Sequence, residues 1–291
     1  MLNNSRGDRL FDTALIIILT LFALAVFVPL WYVLVMSMTP LKVWTSTWGW
    51  FIPPFDQITF AGYKQLLTSE RLPRSFAVSV GITVAGTALN LIVTTMMAYP
   101  LSLSHFRLRN ILLLAVLFTL LFNGGLIPTY ILVRDLRLMD SYWALILPNL
   151  VSAWNLLVMK AFFESLPVEM REAARIDGAS DWQVFKDVIL PLSKPILATI
   201  GLFYAVGHWN AFFDAILYIQ SSEKQPLQVV LRELLGSGNM NEFVEMDVRS
   251  IVSRESLQAA SVVIAIIPML LVYPFLQRHF TKGFLLGSIK G

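Results

Sequence analysis

Residues 164–195 read ESLPVEMREAARIDGASDWQVFKDVILPLSKP and lie between two long apolar stretches of the chain. The segment is polar, but it carries the start and stop signals of helices. Ser165 can cap a first helix that includes Pro167 in its opening turn, where the missing N–H does no harm. Gly178 is placed to end that helix in the left-handed conformation. The pattern therefore predicts a short helix that ends in a tight turn at Gly178.

A second helix is predicted directly after this turn. Ser180 and Gln183 have the spacing of a capping box at its start, and Pro191 is expected to end it. One face of this helix is predicted to carry Trp182, Phe185 and Ile189. The sequence thus predicts a helix–turn–helix connection over residues 164–192, which we call the elbow. Without further information, the elbow could simply be an amphipathic segment that lies on the bilayer.

The chain on both sides of the elbow is dominated by runs without charged residues. Of the 291 residues, 56% are apolar and 14% are charged, whereas soluble domains carry about 25% charged residues. A membrane-crossing helix needs roughly 20 apolar residues, and these runs lack the alternation of barrel strands. We therefore expect an all-α, polytopic membrane protein with six transmembrane helices. The predicted spans lie near residues 13–38, 74–100, 110–133, 142–163, 195–219 and 256–277.

The charges between the spans predict the orientation, because short loops rich in Lys and Arg stay in the cytoplasm. Such residues occur in three segments that six spans place on one side: Arg6 and Arg9; His105, Arg107 and Arg109; Arg278, His279, Lys282 and Lys290. The elbow falls on the same side. We expect a cytoplasmic amino end (1–12), a transmembrane domain (13–277) with an acidic external loop (220–255), and a cytoplasmic tail (278–291).

Several classes of function are disfavoured by residues that the sequence does not contain. The chain has no cysteine, and its three histidines are far apart, so no metal site is expected. A net charge of +3 with no basic stripe argues against nucleic acid. No G-x-x-x-x-G-K-[ST] sequence is present, so nucleotide binding is not expected. No nucleophile, base and orienting group converge, and we expect that the chain is not an enzyme.

The elbow resembles a known motif in three short segments, Glu172-Ala173-Ala174, Asp177-Gly178-Ala179 and Ile189-Leu190-Pro191. In this order and place they resemble the EAA motif of permeases of binding-protein-dependent ABC importers. In that family the motif forms a coupling helix that sits in a groove of the cytoplasmic ATPase. The resemblance implies a type I ABC importer permease fold. It also implies that these residues couple to the ATPase: Glu172, Ala173, Ala174, Asp177, Gly178, Ala179, Trp182 and Phe185.

Three further segments resemble the sugar-importing branch of that family, carbohydrate uptake type 1. They are residues 123–130 (NGGLIPTY), 207–210 (GHWN) and 282–291 (KGFLLGSIKG). The chain is similar to the smaller, six-helix permease of each pair. Within the branch it resembles permeases for acidic oligosaccharides such as alginate or galacturonans. The resemblance implies a channel-forming subunit for the uptake of sugars or oligosaccharides.

The resemblance also implies partners and a location. The expected partners are a second homologous permease in a heterodimer, two cytoplasmic ATPase subunits, an extracytoplasmic solute-binding protein, the lipid bilayer and the sugar. ATP and Mg²⁺ would bind to the ATPase subunits, and no cofactor is expected on this chain. The location implied is the bacterial cytoplasmic (inner) membrane, with both termini in the cytoplasm. In this family, a tail such as residues 283–291 can also reach between the ATPases.

Polar residues within the spans are candidates for the translocation path, because such residues are costly in lipid and usually face a cavity or protein. Phe203, Gly207, Asn210, Asp214 and Tyr218 are spaced to share one helix face. Aromatic rings and amides suit sugars, although a buried Asn can equally bind a neighbouring helix. The candidates for the path are Asn123, Tyr130, Trp154, Asn155, Asn210 and Asp214.

A secondary transporter or a channel for a small polar solute is the alternative function. A secondary transporter would show inverted repeats with broken helices at matching places in its two halves. The sequence shows no convincing repeat and no pair of mid-membrane carboxylates for ion coupling. A structural scaffold of the membrane is a third possibility. The lack of such a repeat and of such a carboxylate pair, together with the resemblance of the elbow to the EAA motif, favours the ATP-driven importer.

Overall fold

The computed structural model describes residues 6–40, 43, 58–236 and 253–287, and within these ranges all side chains except those of residues 6, 8, 9 and 273–287. Three predicted features therefore lie partly outside the described residues. They are the amino end 1–12, the external loop 220–255 beyond residue 236, and the tail 278–291.

Every regular element in these described ranges is helical, and none is a strand. The all-α prediction is confirmed. The α-helices are α1 (Arg6–Ser37), α2 (Ala61–Thr68), α3 (Arg71–Ser102), α4 (Arg109–Leu121), α5 (Leu126–Asp135), α6 (Trp143–Ile146), α7 (Ala153–Ser165), α8 (Val168–Ile176), α9 (Asp181–Leu192, with a π-helical turn Val184–Ile189), α10 (Lys194–Asn210), α11 (Phe213–Tyr218), α12 (Leu227–Leu235) and α13 (Arg254–Gly287).

Three of these helices, α1, α3 and α13, are each long and apolar enough to cross a membrane. Two sharply bent pairs pass the same test together: α4 with α5, bent by 115°, and α9 with α10, bent by 78°. The described chain therefore contains up to five spans by length and composition. The fourth predicted span, 142–163, is not one helix, because residues 147–152 separate α6 from α7.

The predictions of one continuous helix over 110–133 and of another over 195–219 were also wrong. The first is broken at Asn123-Gly124-Gly125, where Gly125 has a φ of +90°, a conformation that favours glycine. The Asn123 side chain accepts a hydrogen bond from the Gly125 amide at 2.9 Å, which closes a local turn in place of the helix. The second is broken after Asn210, where the helix tightens and the Ala211 amide donates to His208.

The described chain divides into two compact units, of which the first comprises residues 1–73 and 231–267. Its hydrogen bonds tie the end of α1 to the start of α13, since the Ser256 hydroxyl donates to the Ser37 carbonyl at 3.3 Å. The Gln258 amide donates to the Leu234 carbonyl at 2.8 Å. Arg71 forms an ion pair with Glu233. The two hydrogen bonds satisfy carbonyls that the ends of α1 and α12 leave without a partner in their own helix.

The second unit comprises residues 74–230 and 268–291 and contains the elbow. One apolar core joins the carboxyl end of α3 to α7, α9 and α10; its fully buried members include Ala98, Leu156, Met159, Val184 and Ile200. A second core joins α3, α5, α6, α11 and α12 around Tyr218 and Val229. The elbow is thus packed on the first of these cores.

Candidate functional site

The turn of the elbow is built as the sequence predicts. Gly178 has a φ of +84°, and its amide donates to the Arg175 carbonyl at 3.0 Å. The Ala179 amide donates to the Ala174 carbonyl, also at 3.0 Å. This pair of bonds is a Schellman motif, which ends α8 and reverses the chain. Because the motif needs a positive φ at residue 178, glycine is the natural residue there.

The start of α9 is a complete capping box, as predicted. The Ser180 hydroxyl accepts from the Gln183 amide at 3.3 Å, and the Gln183 side chain accepts from the Ser180 amide at 2.8 Å. Across the turn, Arg175 and Asp181 form an ion pair of 2.7 Å. Both side chains of this pair are exposed, so it contributes no more than about 1 kcal/mol. Backbone and caps, rather than charge, set the angle of the elbow.

The entry into the elbow differs from the prediction. Ser165 does not cap α8; it ends α7, and its hydroxyl donates to the Phe162 carbonyl at 2.7 Å. Pro167 occupies the cap position instead of the first helical turn. Proline disfavours a helical conformation in the residue before it, and Leu166 is accordingly extended, with φ −69° and ψ 139°. This restriction forces the break between α7 and α8.

The inner face of the elbow is anchored by α9. Phe185 and Ile189 are buried, and the Phe185 ring lies 4.9 Å from that of Tyr99, centre to centre. Trp182, predicted on the same face, is exposed although its ring contacts Phe185 at 5.5 Å. The π-helical turn from Val184 changes the register of the face, which explains the difference. Pro191 lies inside α9, which ends one residue later at Leu192.

The outer face of the elbow is formed by α8. Glu169, Glu172, Ala173 and Ile176 are all exposed, and their spacing places them on one side of the helix. Ile176 is 86% exposed, although sequence reasoning did not select it. Of the predicted coupling residues, Asp177 and Gly178 are also exposed, whereas Ala174 and Ala179 rest against the core. We call Glu169, Glu172, Ala173 and Ile176 the outer row.

An ion-pair cluster connects the elbow to the helices before it. Glu164 pairs with Arg109 and Lys160, each at 2.7 Å, and Arg109 also donates to the Leu101 carbonyl at 3.0 Å. Burial acts to raise the pKa of Glu164, but its hydrogen bonds with Lys160 and Arg109 and their charges lower it overall. The carboxylate therefore stays ionised and joins the ends of α3, α4 and α7.

The six candidates for the translocation path are not brought together. Asn123 and Asn210 are exposed, and among the described residues their side chains bond only to nearby backbone, at Gly125 and Val206. Tyr130 stacks on Tyr218 at 6.2 Å. The other three are Trp154, which is 62% exposed, Asn155, which is buried, and Asp214, which accepts from Asn149 at 2.9 Å. Within the described residues, no hydrogen bond or ring contact joins any two of the six.

The proposed common face of Phe203 to Tyr218 does not exist as one helix face. The break at Ala211 and Phe212 separates α10 from α11. Phe203 and Asn210 are exposed, while Tyr218 is buried. The interrupted helix therefore removes the periodicity on which that prediction depended.

A polar stripe along α3 was missed. It consists of Ser75, Ser79, Thr83, Thr87, Asn90 and Thr94. The spacing of four, four, four, three and four residues keeps them on one helix face, and four of the six are buried. This spacing within an apolar run was the signal that could have revealed the stripe.

Two residues of the stripe help to satisfy backbone polar groups where the fourth predicted span is broken. Asn90 donates to the Asn149 carbonyl at 3.0 Å. Thr94 shares a hydrogen bond of 2.7 Å with the Tyr204 hydroxyl, which accepts from the Ser152 amide at 3.0 Å. Non-helical backbone at membrane depth is tolerated where protein satisfies it or where it lines water. Asn90, directly, and Thr94, through Tyr204, therefore support the break at residues 147–152.

Comparison with known proteins gives the context of this site. The family described as binding-protein-dependent transport system inner membrane component matches residues 77–285. Protein LplC of Bacillus subtilis (strain 168) is 44% identical over 291 residues, covering 100% of this chain and 98% of the relative. The polygalacturonan/rhamnogalacturonan transport system permease protein YtcP of the same organism is 42% identical over 286 residues, covering 98% and 99%.

A solved structure is similar over nearly the whole chain. It is the crystal structure of a bacterial ABC transporter involved in the import of the acidic polysaccharide alginate, with a TM-score of 0.88 and 34% identity. The match covers 95% of this chain and 98% of that one. The residues that match the family, 77–285, include the whole elbow. The chain belongs to the family of inner membrane components of binding-protein-dependent transport systems.

Proposed function

We propose that this chain is one of two permease subunits in an ATP-driven importer, and that its outer row docks onto an ATPase subunit. The observation that carries the proposal is the contrast between the two helices of the elbow, because α9 is anchored in the core and α8 is not. The buried Phe185 and Ile189 attach α9 to the core. On α8, within the described chain, no residue is buried. A partner that moves α8 therefore moves the core with it.

The chemistry of the outer row suits a protein partner. Exposed apolar side chains rimmed by polar ones are typical of interaction sites. Burying Ile176 against a partner would contribute roughly 1.5–3 kcal/mol. Among the described residues, neither Glu169 nor Glu172 forms an ion pair, so both carboxylates can meet basic groups. The matching surface is an apolar pocket with a basic rim.

Membership of the family supports a proposal for the remaining parts of the importer. We propose a second permease as heterodimer partner, two ATPase subunits that bind ATP and Mg²⁺, and an extracytoplasmic solute-binding protein. The location is the bacterial cytoplasmic membrane, with both termini and the elbow inside. The basic loop at His105, Arg107 and Arg109 supports this orientation. ATP hydrolysis belongs to the partner subunits in this proposal.

The proposed substrate class is acidic oligosaccharides. YtcP is named for polygalacturonan and rhamnogalacturonan transport, and the similar crystal structure is of an alginate importer. Exposed Trp154 offers a ring for a sugar face, and the exposed amides of Asn123 and Asn210 offer hydrogen bonds. These three are the path residues that we would test first.

The experiment is an ATPase assay on the assembled complex in liposomes. The chain is co-expressed with the second permease, the ATPase and the binding protein encoded beside it. We expect ATP hydrolysis to rise when binding protein loaded with oligogalacturonate is added. Ile176→Ser should lose most of this stimulation while the chain remains folded. Leu136→Ser, which alters another exposed apolar residue in a different loop, is the matched control.

Two results would count against the proposal. Transport of the sugar by this chain alone, without ATPase subunits, would support a secondary transporter or a channel. Equal stimulation in the Ile176→Ser and Leu136→Ser complexes would remove the outer row from the docking surface. Stimulation by neutral but not by acidic oligosaccharides would overturn only the substrate class.

A further inference from the structure

An apolar cavity of about 510 Å³ lies beside the amino end of α7. It is bordered by the end of α3, the following loop, and one face of α4. The lining residues are Met97, Pro100, Leu101, Phe106, Leu112, Ala115, Val116, Thr119, Val151, Ala153 and Leu156. Thr119 carries the one side-chain hydroxyl of this lining, and it donates to the Val116 carbonyl of its own helix at 2.8 Å.

The lining excludes a sugar, because sugar hydroxyls would find no free polar partner there. It also does not suit a helix of another protein. A helix with its side chains is about 10–12 Å across and rises 5.4 Å per turn, so this volume holds only about one turn. A single flexible hydrocarbon chain has the shape and the polarity that the cavity accepts.

The cavity is open to the surroundings of the helices. Met97 and Leu112 belong to its lining and are 40% and 41% exposed. No residue of α4 is buried within the described chain. In a bilayer, this opening faces hydrocarbon, where an empty apolar cavity forfeits dispersion contacts along its walls.

Two basic residues flank the lining residue Phe106 in the chain. Phe106 lines the cavity, and the neighbours of Phe106 in the chain, His105 and Arg107, are exposed. Neither forms an ion pair among the described residues, whereas Arg109 is engaged by Glu164. Basic pockets on the cytoplasmic side of membrane helices bind anionic headgroups. An anionic headgroup on Arg107 places its chain at the mouth of the cavity.

We propose that this cavity binds one acyl chain of an anionic phospholipid, with the headgroup held by Arg107 and His105. The inference rests on the cytoplasmic orientation of the loop proposed above, and it is independent of the identity of the sugar. The lipid fills the space between α3, α4 and α7, next to the ion-pair cluster that precedes the elbow. Bound lipid therefore stabilises the packing of α3, α4 and α7, the helices that precede the elbow.

The first test changes the volume of the cavity. The complex is purified with its copurifying subunits, and bound phosphatidylglycerol is counted by native mass spectrometry. Ala115→Phe, which fills the cavity, should lower the count by one lipid per copy of this chain. Ala88→Phe, at an exposed position of α3 outside the lining, should leave the count unchanged. Equal counts in the two complexes would overturn the proposal.

The second test changes the charge and leaves the cavity intact. In nanodiscs with phosphatidylglycerol and phosphatidylcholine, Arg107→Gln should reduce the preference for phosphatidylglycerol about fivefold, the effect of one basic residue near a charged surface. Arg134→Gln removes an exposed charge in the last turn of α5 and should not change this preference. An unchanged preference in the Arg107→Gln complex would overturn the headgroup assignment.

A photo-crosslinking amino acid at Leu112 identifies the occupant directly. Adducts with phospholipid would support the proposal. Adducts with the second permease would show that a protein, and not a lipid, occupies the cavity, and would overturn the proposal. Sugar-stimulated ATP hydrolysis is measured on the same complexes. Loss of that stimulation with lipid still bound would count against the proposed function alone.

Discussion

The elbow and the broken fourth span both consist of short helices joined by turns, but the contacts that hold their turns come from different distances along the chain. In the elbow, each turn is specified by residues within a few positions: Gly178 ends α8, and Ser180 with Gln183 starts α9. In the broken fourth span, the interruption at 147–152 is held by Asn90 and Tyr204, which are distant in the sequence. Local chemistry can be read from a sequence, whereas partners contributed by other helices cannot.

This difference also separates two kinds of function. In the proposed importer, the elbow presents its outer row to the ATPase subunit, and backbone hydrogen bonds at the turn fix the position of that row. The membrane region uses buried side chains to satisfy irregular backbone where water is scarce. Substitutions in the elbow should therefore change coupling more than stability, and substitutions in the membrane region should do the reverse.

The largest effect is expected at Gly178. Gly178→Val places a β-branched residue at a φ of +84°, a conformation that costs L residues roughly 1–2 kcal/mol or more. We expect at least a tenfold loss of substrate-stimulated ATP hydrolysis in the assembled complex. Gly178→Asn is the matched variant, since Asn tolerates this conformation, and it should retain most of the activity. Equal activity of both variants would mean that the turn geometry does not matter.

The next effect is expected at Gly86 in the membrane region. A Cβ atom there would lie 2.5 Å from His208 Nε2, whereas one at Gly81 on the same helix would meet nothing within 4 Å. Gly86→Ala should lower the stability of the purified chain by about 1–3 kcal/mol, as overpacking does. Gly81→Ala should be neutral or slightly stabilising. The two variants are compared by thermal unfolding in detergent. If Gly86→Ala is as harmless as Gly81→Ala, the close approach of α3 and α10 is refuted.

A smaller effect is expected at Asp140, which lies outside the spans. Its carboxylate accepts hydrogen bonds from the Gln220 and Ser221 amides, the Ser221 hydroxyl and the Lys224 ammonium group. The hydrogen bond from Lys224, followed by those from Ser221, holds its pKa well below the usual range. Asp140→Asn should lower the midpoint of thermal unfolding by a few degrees. Asp135→Asn, whose carboxylate pairs only with neighbouring Arg134 among the described residues, should not.

The pH dependence of this effect has a definite sign. Because the folded-state pKa of Asp140 is depressed, its stabilisation is fully present above the unfolded pKa of about 3.9. It is lost as the pH falls below that value towards the folded pKa. The difference between wild type and Asp140→Asn should thus be constant from pH 7 to about pH 5 and shrink below pH 4. A difference that grows on acidification would contradict the assignment.

The smallest effect is expected at Arg175. Its ion pair with Asp181 is exposed on both sides, and such pairs contribute about 0.2–1 kcal/mol. Arg175→Gln should leave stability almost unchanged and reduce coupling less than twofold. A loss comparable to that of Gly178→Val would show that charge, and not backbone geometry, sets the angle of the elbow.

The parts that were predicted correctly depend on short-range rules. Apolar run length predicted an all-α membrane protein, and capping chemistry predicted the turn at Gly178 and the start of α9. The failure at Ser165 also has a local cause, since Pro167 acts on the residue before it. The exposed position of Trp182 could not be predicted, because the π-helical turn after it shifts the register of α9.

The candidates for the translocation path were selected as polar or aromatic residues within the predicted spans, and periodicity was used only for the face from Phe203 to Tyr218. That face requires a continuous helix, and the break after Asn210 removes it. The polar stripe on α3 was visible in the sequence, but its partners were not. Whether Asn123, Trp154 and Asn210 contact a sugar stays a prediction.

The central claim is that the elbow lies in the cytoplasm and is covered by an ATPase subunit. The chain contains no cysteine, so Ile176→Cys introduces a single reactive thiol at the exposed end of α8. A membrane-impermeant maleimide should label this thiol in inverted vesicles that lack the ATPase, and should fail to label it when the ATPase is bound. Labelling in intact spheroplasts from outside, or equal labelling with and without the ATPase, would contradict the account.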